Sequence, residues 1–207
     1  MAVHQISPEL LTLERVDEIL KKGLKLELSA ESKSRILKCR EYLDNKMQTQ
    51  KEPIYGVTTG FGSLCNISIS KEQLSQLQKN LVMSHACGVG EEVPQEIVKI
   101  MLLNKIQSLS YGNSGVQLQT VERLIAFFNN DIFPVVYQQG SLGASGDLAP
   151  LAHMCLPLLG LGVVDYKGER ISGEELNKRF SWQPIELQSK EGLALLNGTQ
   201  FMSSFAV

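Results

Sequence analysis

Apolar residues recur at helical spacing along most of the chain, dividing it into short amphipathic helices. In LLTLERVDEILKK (10–22) they fall three and four apart, with Ser7 followed by Pro8 as a start and Gly23 as a stop. A second helix is expected from Ser29 to about Met47. Ser70 to Gln73 (SKEQ) fits a capping box, after which Leu74, Leu77 and Leu81 mark one face of a helix reaching Ala86. The same period runs through Ile97, Met101 and Ile106 (94–110) and through Val121, Leu124 and Phe128 (116–129).

Where the period lapses, the composition changes. EPIYGVTTGFGSLCNIS (52–68) holds three glycines and two threonines, the mark of a long structured loop, and such loops often carry function. In VVDYKGERIS (163–172) Lys167-Gly168 separates two β-prone runs, a small hairpin, and SGEELNKRF (172–180) follows as a short capped helix. GLALLNGTQFMSSFAV (192–207) keeps an apolar helical pattern to its last residue, with no stop signal. Phe201, Met202, Phe205 and Val207 are expected to stay wet there, and the parent chain to be longer. The fold class is mainly α with one small β-hairpin.

Composition narrows the function classes. With 207 residues, 43% hydrophobic, 20% charged and a net charge of -2, the chain is that of an ordinary globular protein. Lys and Arg are spread out, leaving no basic stripe for nucleic acid. No apolar run approaches the roughly 20 residues of a membrane span, and MAVHQISPEL lacks a leader pattern, so a cytoplasmic protein is expected. Cys39, Cys65, Cys87 and Cys155 show no CxxC spacing and are read as free thiols. His4, His85 and His153 share no ligand spacing, so no metal is implied.

The stretch GSLGASGDLAP (140–150) packs three glycines and several small residues into one turn before an apolar run. Part of this is structural: Ser145 or Asp147 suits an N-cap, and Pro150 the first turn of a helix through LAPLAHMCLPLL. A phosphate loop fits less well, because GK[ST] is missing and no strand leads in. The remaining reading is covalent. If the turn is tight, the Gly146 nitrogen can attack the Ala144 carbonyl carbon and close a five-membered ring, and Ser145 can lose its β-hydroxyl as water to leave a methylidene. Glycine suits the nucleophile because it has no Cβ, and Asp147 is placed to move protons.

GSLGASGDLAPLAHM resembles the signature of the aromatic amino acid ammonia-lyases and aminomutases, whose Ala-Ser-Gly forms 4-methylideneimidazole-5-one (MIO). YGVTTGFG (55–62), LVMSHACGVG (81–90) and EGLALLNGTQ (191–200) are similar to further blocks of that family, in the family's order. The likeness spans the chain, yet members are more than twice as long. It therefore implies the MIO-bearing N-terminal portion (1–207) of a lyase whose central helical bundle and C-terminal part lie beyond.

The resemblance also implies roles. Ala144, Ser145 and Gly146 become the MIO, with no metal or nucleotide. Tyr55, on a mobile loop, is the catalytic base that removes the substrate's β-proton; a phenol is a weak base at neutral pH, so nearby cations or hydrogen bonds must favour tyrosinate. His85 lies one helical step beyond Leu81 and is expected to point inward, where the family contacts the substrate ring. Ser84-His85-Ala86-Cys87-Gly88 resembles the version in enzymes that act on histidine, implying L-histidine as substrate and trans-urocanate and ammonia as products. Asn197, read as a buried amide after Leu195-Leu196, is implied to hold the MIO environment and the substrate amine. His153 is read as structural. Members are homotetramers whose sites combine several subunits. Tyrosine or phenylalanine ammonia-lyase, an aminomutase, and a catalytically silent fragment are the alternatives.

Overall fold

The structure, a computed structural model, describes residues 2–49, 52–55, 57–59, 73–141 and 146–207. It is mainly helical, as the apolar period predicts. The chain opens with strand β1 (Val3–Ile6), helix α1 (Leu13–Lys21) and strand β2 (Lys25–Leu28), and β1 and β2 pair in parallel, Val3 opposite Lys25 and Ile6 opposite Leu28. The expected helix start at Ser7-Pro8 is therefore corrected. Thr12 is the N-cap, its hydroxyl accepting from the Arg15 amide at 3.3 Å. Gln107 donates its amide to the Ser7 and Glu9 carbonyls, tying 7–9 down outside the helix. Gly23 ends the turn after α1 at φ +59, as expected.

Helix α2 (Ala30–Thr49) precedes the loop, of which 52–55 and 57–59 are described. Helix α3 (Leu74–His85) starts at Gln73, which makes no side-chain cap bond; Ser70 and Cys65 lie outside the described residues. Strand β3 (Val89–Glu92) leads to helix α4 (Gln95–Ser110), buried on nearly every side by Val98, Met101, Leu102, Leu103, Ile106 and Leu109. Helix α5 (Leu118–Asn129) packs along α4. Its last residue, Asn129, continues the β2 ladder: Leu26 N donates to Asn129 Oδ1 at 2.7 Å, and Asn129 Nδ2 donates to Leu26 O at 2.9 Å.

Strands β4 (Ile132–Pro134), β6 (Val163–Tyr166) and β7 (Glu169–Ser172) form an antiparallel sheet, while β5 (Tyr137–Gln139) pairs with β3. The hairpin between β6 and β7 turns at Lys167 and Gly168, both at positive φ as a two-residue type I′ turn requires. Ser172 then caps helix α7 (Gly173–Phe180) by accepting from Glu175 N at 3.1 Å. Helix α6 (Leu148–Cys155) runs into a 3-10 turn at Leu156–Leu159.

The C-terminal apolar pattern is not one helix. It breaks into α8 (Glu191–Leu196) and α9 (Gln200–Ala206), with Gly198 at φ +152 between them. Met202, Phe205 and Val207 are exposed, as expected, but Phe201 is half-buried against the core, with the Phe205 ring edge-on at 5.1 Å. Cys39, Cys87 and Cys155 are free thiols.

Candidate active site at the 140–147 bend

Both ends of the bend are seated on other glycines. At its start, Gly140 (φ +119) is so close to the Cys87-Gly88 backbone that an added Cβ would lie 2.9 Å from Gly88 Cα. At its end, Gly146 (φ +103) forms a parallel bridge with Gly198, and an added Cβ would lie 2.6 Å from Gly198 O. Side chains are excluded at 146 by dihedral and by space. The Gly146 carbonyl accepts from Leu148 N at 3.1 Å and from Ser141 Oγ at 3.1 Å, and Asp147 N donates to Gly198 O at 3.0 Å. Ala144 and Ser145 lie outside the described residues. Gly146, the last residue of the Ala144-Ser145-Gly146 triplet, is thus held at a position that admits only glycine.

Asp147 is buried, 9% exposed, at the N-cap position of α6. Its backbone carbonyl accepts from Leu151 N, but its carboxylate makes no cap bond to α6, which corrects the expected side-chain cap. Instead Oδ2 accepts from Met202 N at 3.0 Å, in the first turn of α9. The unpaired amides and positive dipole end of α9 make that a favourable place for a carboxylate.

Asn197 differs from expectation. Its side chain is exposed, so no buried amide needs a partner there. The backbone is what faces inward: Asn197 N donates to Leu193 O at 2.9 Å, and Asn197 O accepts from Lys105 Nζ at 3.2 Å. Lys105, on α4, is only 1% exposed. Burial drives its pKa down to about 8; the Cys155 thiol opposes that shift and the Lys190 ammonium adds to it. Burial likewise pushes the Cys155 thiol up to about 12. Sequence reasoning missed Lys105, although a cation inside the apolar run MLLNKIQSL is a visible anomaly.

Tyr55 sits in a turn held by Val57 N and Thr58 N donating to Ile54 O, and its side chain is 55% exposed. The turn hangs from α3 by the fully buried Gln78, which donates Nε2 to Val57 O at 3.4 Å and accepts from Gly192 N of α8 at 2.8 Å. The Tyr55 turn and the helix leading to Asn197 thus share one anchor.

His85 closes α3 and is half-buried, so the expected inward direction holds only in part. Its Nδ1 lies 2.8 Å from Leu81 O; a carbonyl only accepts, so Nδ1 donates, and in the neutral ring Nε2 is the acceptor. Three residues on, Gly88 N donates to His153 Nε2 at 2.9 Å, and the Tyr137 ring stands edge-on to His153 at 5.1 Å. His153, expected to be structural, pins to α6 the segment on which Gly140 rests. Burial lowers its pKa. The fold thus joins Gly146 and Asp147 to Gly198, the residue after Asn197, with His85 linked through Gly88 and Tyr55 through Gln78 and α8.

Among the described residues, no group of three or more His, Cys, Asp or Glu side chains is arranged to hold a metal, and no helix is long and apolar enough to cross a membrane.

The family model described as "Aromatic amino acid lyase" matches residues 11–207. The histidine ammonia-lyase of Symbiobacterium thermophilum is 49% identical over 194 residues, 94% of this chain and 38% of that protein. Histidine ammonia-lyase 2 of Fusobacterium nucleatum is 46% identical over 205 residues, 99% of this chain and 40% of that protein. The chain therefore spans about two fifths of the length of these relatives. A solved structure of histidine ammonia-lyase from Trypanosoma cruzi superimposes with a TM-score of 0.85 at 34% identity, covering 99% of this chain and 39% of that one. The phenylalanine aminomutase of Pantoea agglomerans does so with a TM-score of 0.90 at 32% identity, covering 99% and 39%. With most of its length matched by the family model and its fold shared with these enzymes, the chain belongs to the aromatic amino acid lyase family.

Proposed function

We propose that this chain is the N-terminal, bend-bearing portion of a cytoplasmic histidine ammonia-lyase that converts L-histidine to trans-urocanate and ammonia. The observation that carries the reading is the seating of Gly146 on Gly198, where only glycine fits and the residue ending Ala144-Ser145-Gly146 is held in place. The Gly146 nitrogen bonds to the Ala144 carbonyl carbon, whose oxygen leaves as water; Ser145 then loses its Cα hydrogen and β-hydroxyl as a second water. Ala144, Ser145 and Gly146 would hold this group, the MIO, within the chain, and it would supply an electrophile for the substrate amine, making that amine a better leaving group. Asp147, buried beside Gly146, moves protons during the dehydrations.

Tyr55 takes the β-proton, and exposure of its side chain suits a group that meets substrate. His85 recognises the imidazole of the substrate, its own ring oriented by the bond from Nδ1 to Leu81 O. Asn197, exposed at the turn after α8, reaches toward the substrate amine. The full-length protein assembles as a homotetramer, and residues 1–207 alone turn over little or no substrate. The named relatives at 46–49% identity favour histidine. The likeness to an aminomutase at 32% identity keeps phenylalanine or tyrosine chemistry as a second reading. A substrate panel offered to the full-length enzyme, followed by the ultraviolet absorbance of urocanate, cinnamate and coumarate, tests the proposal. Urocanate as main product supports it; cinnamate or coumarate alone overturns it.

A further inference from the structure

The buried ammonium of Lys105 is used by none of the steps above. It stands between the two segments that hold the end of the bend: α6, which begins after Asp147 and contributes Cys155, and the Asn197-Gly198 turn that opens α9. A lysine in a core is costly unless its charge is rewarded by a polar partner, and here that partner is the Asn197 carbonyl at 3.2 Å. The preceding residue of α4, Asn104, donates to Ser204 Oγ of α9 at 3.2 Å, so α4 grips the turn and its helix side by side.

We propose that Lys105 is a positioning residue for the bend: by holding the Asn197 carbonyl it fixes Gly198, the seat on which Gly146 and Asp147 rest. The inference rests on the reading that Ala144-Ser145-Gly146 cyclises. Ring closure brings the Gly146 nitrogen to bonding distance of the Ala144 carbon, and this compression holds only if the far side of Gly146 cannot slide. That side is held by the Gly198 bridge, whose Asp147 N–Gly198 O bond ends on the residue directly after the Asn197 carbonyl that Lys105 grips. With the ammonium gone, the Asn197 carbonyl loses its charged donor and the seat slackens, while the apolar packing of α4 persists.

The test uses the full-length assembled enzyme with Lys105→Met, which keeps the unbranched stem and removes the charge, and Lys105→Gln, which restores a donor. Intact mass reads the fraction of chains lacking two waters, and thermal unfolding is followed in parallel. The expected result is a Met variant that assembles and melts cooperatively, with a cyclised fraction at least tenfold below wild type and partial recovery in the Gln variant. Full cyclisation of the Met variant overturns the inference and leaves the proposed function standing. Failure of both variants to assemble shows a role in folding alone and also overturns it. An unmodified wild-type chain removes the proposed function, and this inference with it.

Discussion

Asp147 caps a helix that is not its own: its carboxylate accepts from the Met202 amide at 3.0 Å, in the first turn of α9. Bend and C-terminal helix are thereby coupled by a group that also lies next to Gly146. Asp147→Ala is expected to destabilise the fold by about 1–2 kcal/mol, the usual cost of a lost helix cap, with Asp147→Asn costing less. Urea unfolding of both variants checks this; equal stability of Asp147→Ala and wild type would show that the carboxylate does not hold α9.

Gly146 and Gly198 make contrasting predictions although they face each other. A methyl at 146 meets the Gly198 backbone oxygen at 2.6 Å, whereas one at 198 meets the Gln200 side-chain amide, which can swing away. Gly146→Ala is expected to leave the triplet uncyclised and to cost about 2 kcal/mol or more. Gly198→Ala pays mainly for its dihedral and retains partial cyclisation. Intact mass and denaturation midpoints of the two variants read the order, and a milder effect at 146 would contradict it.

Gln78 ties the Tyr55 turn to α8 with one buried amide. Gln78→Leu preserves bulk but strands the Val57 carbonyl and the Gly192 amide, at about 1–3 kcal/mol for each buried group left unpaired. Activity of the full-length enzyme should fall at least tenfold. Unchanged turnover would mean that the Tyr55 turn does not depend on this anchor.

Acid sensitivity follows from His153. Burial holds its pKa below the ordinary value of 6.5, so the folded state resists a proton that the unfolded chain accepts. This contribution to stability is complete above about pH 6.5 and is lost as pH falls through the depressed folded value. His4, also lowered by burial, acts in the same direction. Unfolding free energy measured from pH 7.5 to 5 should decline, and His153→Gln should flatten the decline; an identical slope in the variant would remove His153 from the account.

The helices were legible because their apolar period is local, and the family blocks because whole strings of residues match. What was not legible depends on distant partners. VHQI and KLEL are four residues each, too short for alternation to register, and they become strands only by pairing with each other across α1. Ser7-Pro8 and Thr12 are both valid helix starts in isolation; Gln107, a hundred residues away, holds the first out of the helix. The amide of Asn197 faces solvent because the chain turns at Gly198, so a polar residue after two buried leucines gave no clue to its direction. Lys105 was overlooked because a lysine on a helix is normally a solvated one.

The most direct test of the central claim is the intact mass of the full-length, assembled protein. The account predicts a chain lighter than its sequence by two waters, with the loss localised to the peptide containing Ala144-Ser145-Gly146. A catalytically active enzyme of full unmodified mass would contradict it.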